Sequence, residues 1–308
     1  MGTSVAINNN GTVIAVGSSW YNSRRGVARV YNWETNVNDW VEKFTIYGDS
    51  EYHDLGRHIA LNDDGTIFAI QNMYSDYVKI YELTSGSYQQ KGSTLTTTVG
   101  DQFGSTGLEF NSDGSVIIIA SIGGRNAQVY EWNVTDWVKK GNTLTQTLDH
   151  NPGDDFFSTA VSINGSGNII AVGCKTGDKP DINDTGYVEL YEWDGNNWIQ
   201  KGSRLYGYAT NNETGGNSIS LNNNGLIVCY GSSYYDYKGI VQVARFDTAI
   251  NDWVLINGPN GDSKITNNSL VFNARYGQFV SLNGDGTRFI VNAPYQNNGL
   301  IEIYDIVY

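Results

Sequence analysis

The chain is poor in the residues that mark many familiar classes. It has 2 cysteines in 308 residues, which rules out a disulfide framework. Cys174 in "IIAVGCKT" and Cys229 in "LIVCYGSS" stand at non-equivalent places, so both read as buried, unpaired small hydrophobes. There are only 4 prolines and 2 methionines. The 3 histidines are His53, His58 and His150, and none has metal-ligand spacing. His53 and His58 read as surface and strand-start residues in "EYHDLGRHIA". Basic residues are short as well: 19 against 32 acidic ones, a net charge of -13. Nucleic acid needs a basic stripe, so it is excluded as a partner, and so are anionic membrane surfaces. The acidity itself reads first as a solubility device. No apolar run approaches the roughly 20 residues of a membrane helix, so membrane insertion is not expected. The opening "MGTSVAINNN" has neither a basic start nor an apolar core. The chain is therefore expected either to bypass the standard export signal or to have lost an upstream part.

What is abundant is turn and strand material: 36 glycines, 21 tyrosines and 8 tryptophans. Glycine supplies turns, while Tyr, Trp and Val favour strands. One phrase recurs as "INNNGTV" (7–13), "LNDDGTI" (61–67), "FNSDGSV" (110–116), "INGSGNI" (163–169), "LNNNGLI" (221–227) and "LNGDGTR" (282–288). The spacing of roughly 50 to 60 residues fits one four-stranded blade per repeat. The turn glycines are Gly11, Gly65, Gly114, Gly167, Gly225 and Gly286.

Each repeat reads as four strands. Strand A is short and alternating ("SVAIN"). Strand B is apolar on both faces ("TVIAVGS", "SVIIIAS"), as in a strand covered on both sides. Strand C alternates ("NAQVYEW", "GYVELYEW"). Strand D carries a Trp and then polar residues ("DWVKKG", "NWIQKG"), the composition of a blunted edge. The recurring Tyr31, Tyr130 and Tyr191 and Trp40, Trp137, Trp198 and Trp253 read as packing between blades. Such sheets must stack on copies of themselves. The expected fold is therefore all-β: a single β-propeller domain over 1–308, with six four-stranded antiparallel blades. The repeats fall near 1–48, 49–99, 100–150, 151–210, 211–270 and 271–308. The last stops after "IEIYDIVY" without a Trp-bearing strand D. Either that blade is incomplete or the chain is a segment of a longer protein. A solenoid of sheets is the alternative architecture.

Acidic-aromatic-Gly phrases precede several strands A: "GDQFGSTG" (100–107), "GDDFFSTA" (153–160) and "ARYGQFV" (274–280). Together with the strand B endings they resemble the FG-GAP repeat of integrin-α-like propellers. The "DGT" turns and "LYEWDGNNWIQKG" (190–202) are similar to repeats in marine microbial and giant-virus proteins. The resemblance implies a propeller and an extracellular or particle-surface location. Calcium-binding members of that family carry a longer acidic loop than "NDDGT" or "NGDGT". Ca²⁺ wants six to eight oxygens, so Asp63, Asp64 and Asp285 read as turn formers. No metal or cofactor is expected, and Ca²⁺ is not favoured.

The chemistry of the site is less legible. No nucleophile elbow or phosphate loop appears, and serine-rich stretches lack a His at a motif spacing. A glycosidase would need two carboxylates about 5 to 10 Å apart. Asp49, Glu51, Asp54, Asp101, Asp154 and Asp155 stand in suitable loops, but the recurring Asp reads as structural. No catalytic residue is assigned. The B–C loops carry aromatics: Trp20, Tyr21, Tyr74, Tyr234, Tyr235, Tyr237 and Tyr295, with Asp236 among them. In an antiparallel blade these loops share one end with the D–A connections. Exposed rings beside Asp and Asn suit sugar stacking or a protein hot spot. The expectation is a non-enzymatic binding or adhesion module presenting this face to a protein or glycan. The alternatives are a structural subunit of a surface or virion assembly, and a carbohydrate-active enzyme.

Overall fold

The structure is a computed structural model that describes residues 2–98, 100–145, 157–258, 261–267 and 269–307. The fold is all-β, a six-bladed β-propeller of mainly four-stranded antiparallel sheets. Helix is limited to single turns such as Met73–Ser75 and Tyr235–Tyr237. The chain divides into two compact units, 1–140 and 141–308.

In the first unit, the first sheet orders Ser4–Ile7, Val13–Ser18, Val27–Glu34 and Asp39–Tyr47. The second orders Ile59–Leu61, Ile67–Asn72, Tyr77–Thr84 and Ser87–Gln90. The third orders Phe103–Phe110, Val116–Ser121, Asn126–Trp132 and Trp137–Lys139. In the second unit, the fourth sheet orders Phe157–Ile163, Ile169–Cys174, Tyr187–Trp193 and Trp198–Gln200. The fifth orders Thr214–Leu221, Ile227–Ser232, Ile240–Asp247 and Asp252–Leu255. The sixth has three strands: Val280–Leu282, Arg288–Ala293 and Leu300–Asp305. These are strands A to D of each sheet, and the sixth lacks strand D.

The repeated turn does more than reverse the chain. Asn62 Oδ1 accepts from Ile67 N at 2.8 Å, and Asn222 Oδ1 from Ile227 N at 3.0 Å. This internal bond closes the hairpin, and the glycine (Gly65, φ 76°) takes the left-handed position. The turn also ties neighbouring sheets together. Asn9 N donates to Asp63 O, Asp63 N to Ser112 O, and Asn223 N to Gly284 O, at 2.8 to 3.1 Å. Asn62 and Asn222 are buried, so the turn is part of the interior.

The core lies between sheets. Ala69, Val78 and Ile80 of the second sheet pack on Leu108, Phe110, Ile117 and Ile119 of the third. Ala171, Val188 and Leu190 of the fourth pack on Ile219, Leu221, Val228 and Tyr230 of the fifth. Strand B is buried along its whole length in sheets two to five. In the first and sixth sheets it alternates, with one face solvated. Two strand D tryptophans bridge sheets as expected: Trp137 Nε1 donates to Lys91 O at 3.0 Å, and Trp253 Nε1 to Lys201 O at 2.7 Å, whereas Trp40 is only half-buried and packs on Trp33 of its own sheet. Cys174 and Cys229 are buried and free, and burial pushes the Cys229 thiol up.

Candidate functional site

The loops before strand A in four of the sheets share a recurring backbone feature. The residue before the buried Leu55, Phe103, Thr214 and Tyr276 has a left-handed conformation. These residues are Asp54 (φ 52°), Gln102 (φ 54°), Glu213 (φ 53°) and Arg275 (φ 54°). Left-handed backbone costs a non-glycine residue on the order of 1 kcal/mol. In three of the four, the residue meets the preceding sheet's B–C loop. Asp54 meets Arg24, Glu213 meets Lys175, and Arg275 meets Tyr234.

In the first unit this places several chemically active groups together. Arg24 comes from the loop "WYNSRRG", where Asn22, Ser23 and Arg24 are all left-handed, with φ of 47°, 55° and 63°. Asp54 accepts from Arg24 Nε at 2.9 Å and from Arg24 Nη2 at 2.5 Å. The carboxylate is buried at 1% while the guanidinium stays 41% exposed. The bond to Asp54 raises the Arg24 pKa further, so its charge is permanent. Arg24 also reaches Tyr74 Oη at 3.4 Å and lies over that ring. Next to Asp54, His53 Nδ1 is 3.0 Å from Ser75 Oγ. Ser75 is set by the Met73–Ser75 turn, whose cap Asn72 Oδ1 accepts from Ser75 N. Behind it, Tyr77 Oη donates to Asp49 Oδ2 at 2.8 Å and accepts from Asn72 Nδ2 at 3.0 Å. His58, at the start of strand A, is pushed down to about 4 by burial and by the neighbouring Arg57.

Sequence reasoning missed the serine–histidine pair. The two residues are 22 positions apart, and a motif spacing cannot report a contact made between two loops. His53 is thus a partnered side chain rather than a plain surface residue, and His58 is half-buried at the start of strand A. Asp54 is an ion-pair partner, not one of two carboxylates facing across a gap.

The second unit has an aromatic–cation cluster of its own. The Arg275 guanidinium lies 4.6 Å from the Tyr234 ring and 5.0 Å from the Tyr295 ring. Tyr235 packs edge-on against Tyr208, and Lys264 lies over both rings. Tyr237 stacks on Phe272 at 5.0 Å. Tyr235, Asp236, Asp262 and Lys264 line an open cavity of about 320 Å³. In the first unit Trp20 is 76% exposed, and Tyr21 packs on Tyr47. The B–C aromatics are thus partly solvated and partly engaged with cations or other rings.

Among the described residues, no group of three or more His, Cys, Asp or Glu could hold a metal. Asp64 and Asp285 accept from their own Thr66 and Thr287 as turn formers. Asp154 and Asp155 lie outside the described residues. Among those described, no helix is long and apolar enough to cross a membrane.

No protein-family model matches the chain, so the propeller is shown and membership of the FG-GAP family is not. No curated protein matches it in sequence. Solved structures do match in fold. One is a functionally unknown protein from Desulfotomaculum acetoxidans, with a TM-score of 0.60 and 11% identity, covering 99% of this chain and 83% of that one. Another is a putative 6-phosphogluconolactonase from Bacteroides fragilis, with a TM-score of 0.61 and 8% identity, covering 98% and 83%. A third is a periplasmic gluconolactonase from Pseudomonas aeruginosa, with a TM-score of 0.52 and 12% identity, covering 98% and 85%. At such identities the likeness is one of fold. It nevertheless overturns the expectation of a non-enzymatic binding or adhesion module, because proteins named as lactonases use this architecture. The expectation rested on exposed rings, and rings alone do not separate a binding face from a substrate cleft.

Proposed function

We propose that the chain is a lactonase-type hydrolase that opens the cyclic ester of a sugar acid, with its site at the loops of the first unit. One observation carries the reading: His53 Nδ1 stands 3.0 Å from Ser75 Oγ, beside the Arg24–Asp54 pair. With Nδ1–H donated to Ser75, the other ring nitrogen of His53 keeps its lone pair and serves as general base. It takes a proton from water as the water oxygen attacks the ester carbonyl. Arg24, held by Asp54, balances the charge that develops on the carbonyl oxygen. The ring C–O bond then breaks, and the proton on His53 goes to the departing ring oxygen, giving the hydroxy acid. Tyr74 offers a ring for the sugar to stack on. The names of the fold neighbours support the reaction class. An extracytoplasmic location goes with this reading, since one of them is named as periplasmic.

The test is hydrolysis of a gluconolactone-type substrate, followed by pH-stat against the spontaneous rate. His53→Ala is expected to lower kcat/KM about 10² to 10⁴-fold. Arg24→Ala is expected to lower it about 10²-fold. Wild-type turnover no faster than the buffer, across a panel of five- and six-membered lactones, would refute the proposal.

A further inference from the structure

Two loop junctions, one in each unit, share a geometry and differ in one group. Gly17-Ser18-Ser19-Trp20 ends strand B of the first sheet as Gly231-Ser232-Ser233-Tyr234 ends it in the fifth. Gly26 bridges to Leu55 in parallel, and Gly239 to Tyr276. A Cβ on Gly17 would strike Gly56 O, and one on Gly231 would strike Gly277 O. Tyr74 stands two residues past strand B of the second sheet, and Tyr295 two past that of the sixth. Trp20 and Tyr74 are thus the counterparts of Tyr234 and Tyr295.

In the second unit the chain itself fills the space between the two rings. The Arg275 guanidinium lies over both, and Tyr234 is half-buried. In the first unit the place of Arg275 belongs to Asp54, whose carboxylate is buried against Arg24. Arg24 lies over Tyr74 at 5.6 Å. Among the described residues no ring or cation covers Trp20, which is 76% exposed. Of the 8 tryptophans it is the one outside strands C and D. An indole left in water adds little to stability, but its face is open to a ring that stacks on it.

Charge selects what can enter. A second cation is repelled by Arg24, which is permanently charged. A phosphate dianion meets cations already engaged: Arg24 with Asp54, Arg25 with the Gly48 carbonyl, and Arg57 with Met73 Sδ. Asp49 and Glu51 of the same loop add negative charge. We infer that the substrate is an uncharged, unphosphorylated sugar lactone whose ring stacks on Trp20, with its carbonyl toward Arg24 and His53. Trp20 thereby sets specificity without touching the reacting atoms. The place of the carbonyl rests on the lactonase reading, and the ring site on Trp20 is tested apart from it.

The experiment follows the Trp20 indole N–H by NMR, assigned from Trp20→Phe. The chain is titrated with anhydroglucitol, a sugar ring that cannot be hydrolysed, and with its phosphate ester. Initial rates on gluconolactone and on its phosphate ester are the second readout. The expected result is a saturable shift of the indole signal with anhydroglucitol and about tenfold weaker binding of the phosphate ester. The kcat/KM for gluconolactone should stand about tenfold above that for the phosphorylated lactone. Trp20→Ala raises KM about tenfold with kcat nearly kept, and Trp20→Phe recovers most of the loss. An indole signal unmoved at the highest soluble anhydroglucitol overturns the inference, even where gluconolactone is turned over. So does equal or better turnover of the phosphorylated lactone, or a Trp20→Ala loss that falls on kcat alone. A shift without turnover of any lactone supports the ring site and refutes hydrolysis instead.

Discussion

The fourth and sixth sheets contain the same positions with opposite fates. In the fourth, Ala171, Val188 and Leu190 point at the fifth sheet and are completely buried. In the sixth, the matching Ile290, Ile301 and Ile303 are 40%, 68% and 64% exposed. Their apolar character is, if anything, greater. Burial is therefore decided by whether a neighbouring sheet covers the face, not by the residue. The hydrophobic contribution scales with the area removed from water. The same isoleucine pattern can stabilise one sheet and contribute little to another.

Mutations that treat the two sheets alike should separate them. The largest effect is expected from Arg204→Ala. It leaves Glu189, fully buried and held at 2.5 Å, without its cation. Breaking a buried pair costs about 3 to 5 kcal/mol, read as a lower urea midpoint. Arg288→Ala, which breaks the exposed pair with Asp305 in the sixth sheet, should leave that midpoint unmoved.

Leu190→Ala should cost about 2 to 5 kcal/mol, while Ile303→Ala should stay within about 1 kcal/mol. Equal losses in the two would show that the sixth sheet's outer face is covered in solution.

The pH dependence extends the contrast to strand A starts. His58 and the exposed Phe279 both begin strand A, each accepting a main-chain bond from strand B. The folded pKa of His58, about 4, lies below the usual 6.5. The unfolded chain then binds the extra proton first. Stability is complete above about pH 6.5 and falls as pH drops toward 4, by up to about 3 kcal/mol. His58→Gln should flatten the difference in urea midpoint between pH 7 and pH 4.5.

The smallest effect belongs to the turns. Asn222→Ala removes a buried acceptor for Leu226 N and Ile227 N, and should cost about 1 to 3 kcal/mol. Asn283→Ala, in the solvated turn of the sixth sheet, should cost less than half of that by the same measurement.

What the sequence by itself determined is the repeating unit. Strand alternation has period two, and a tight hairpin needs a left-handed residue at a set place, so both appear as local patterns. That was enough to place Gly65 and Gly225 in their turns, to read strand B as doubly covered in sheets two to five, and to set Trp137, Trp198 and Trp253 in the interior; in the first sheet "TVIAVGS" has one face only half-buried. It also showed that the last repeat holds three strands within residues 271–308. Tertiary structure alone decided the rest. His53 meets Ser75, and Asp54 meets Arg24, because a D–A loop and two B–C loops converge on positions that no fixed spacing encodes. The buried role of Asn62 and Asn222 was hidden behind their ordinary fitness for turns. The cavity of about 180 Å³ between Ile256 and Ile306 exists only because residues of two different sheets line it. Local periodicity reports what a residue offers to a neighbour, and only the folded chain says whether a neighbour comes.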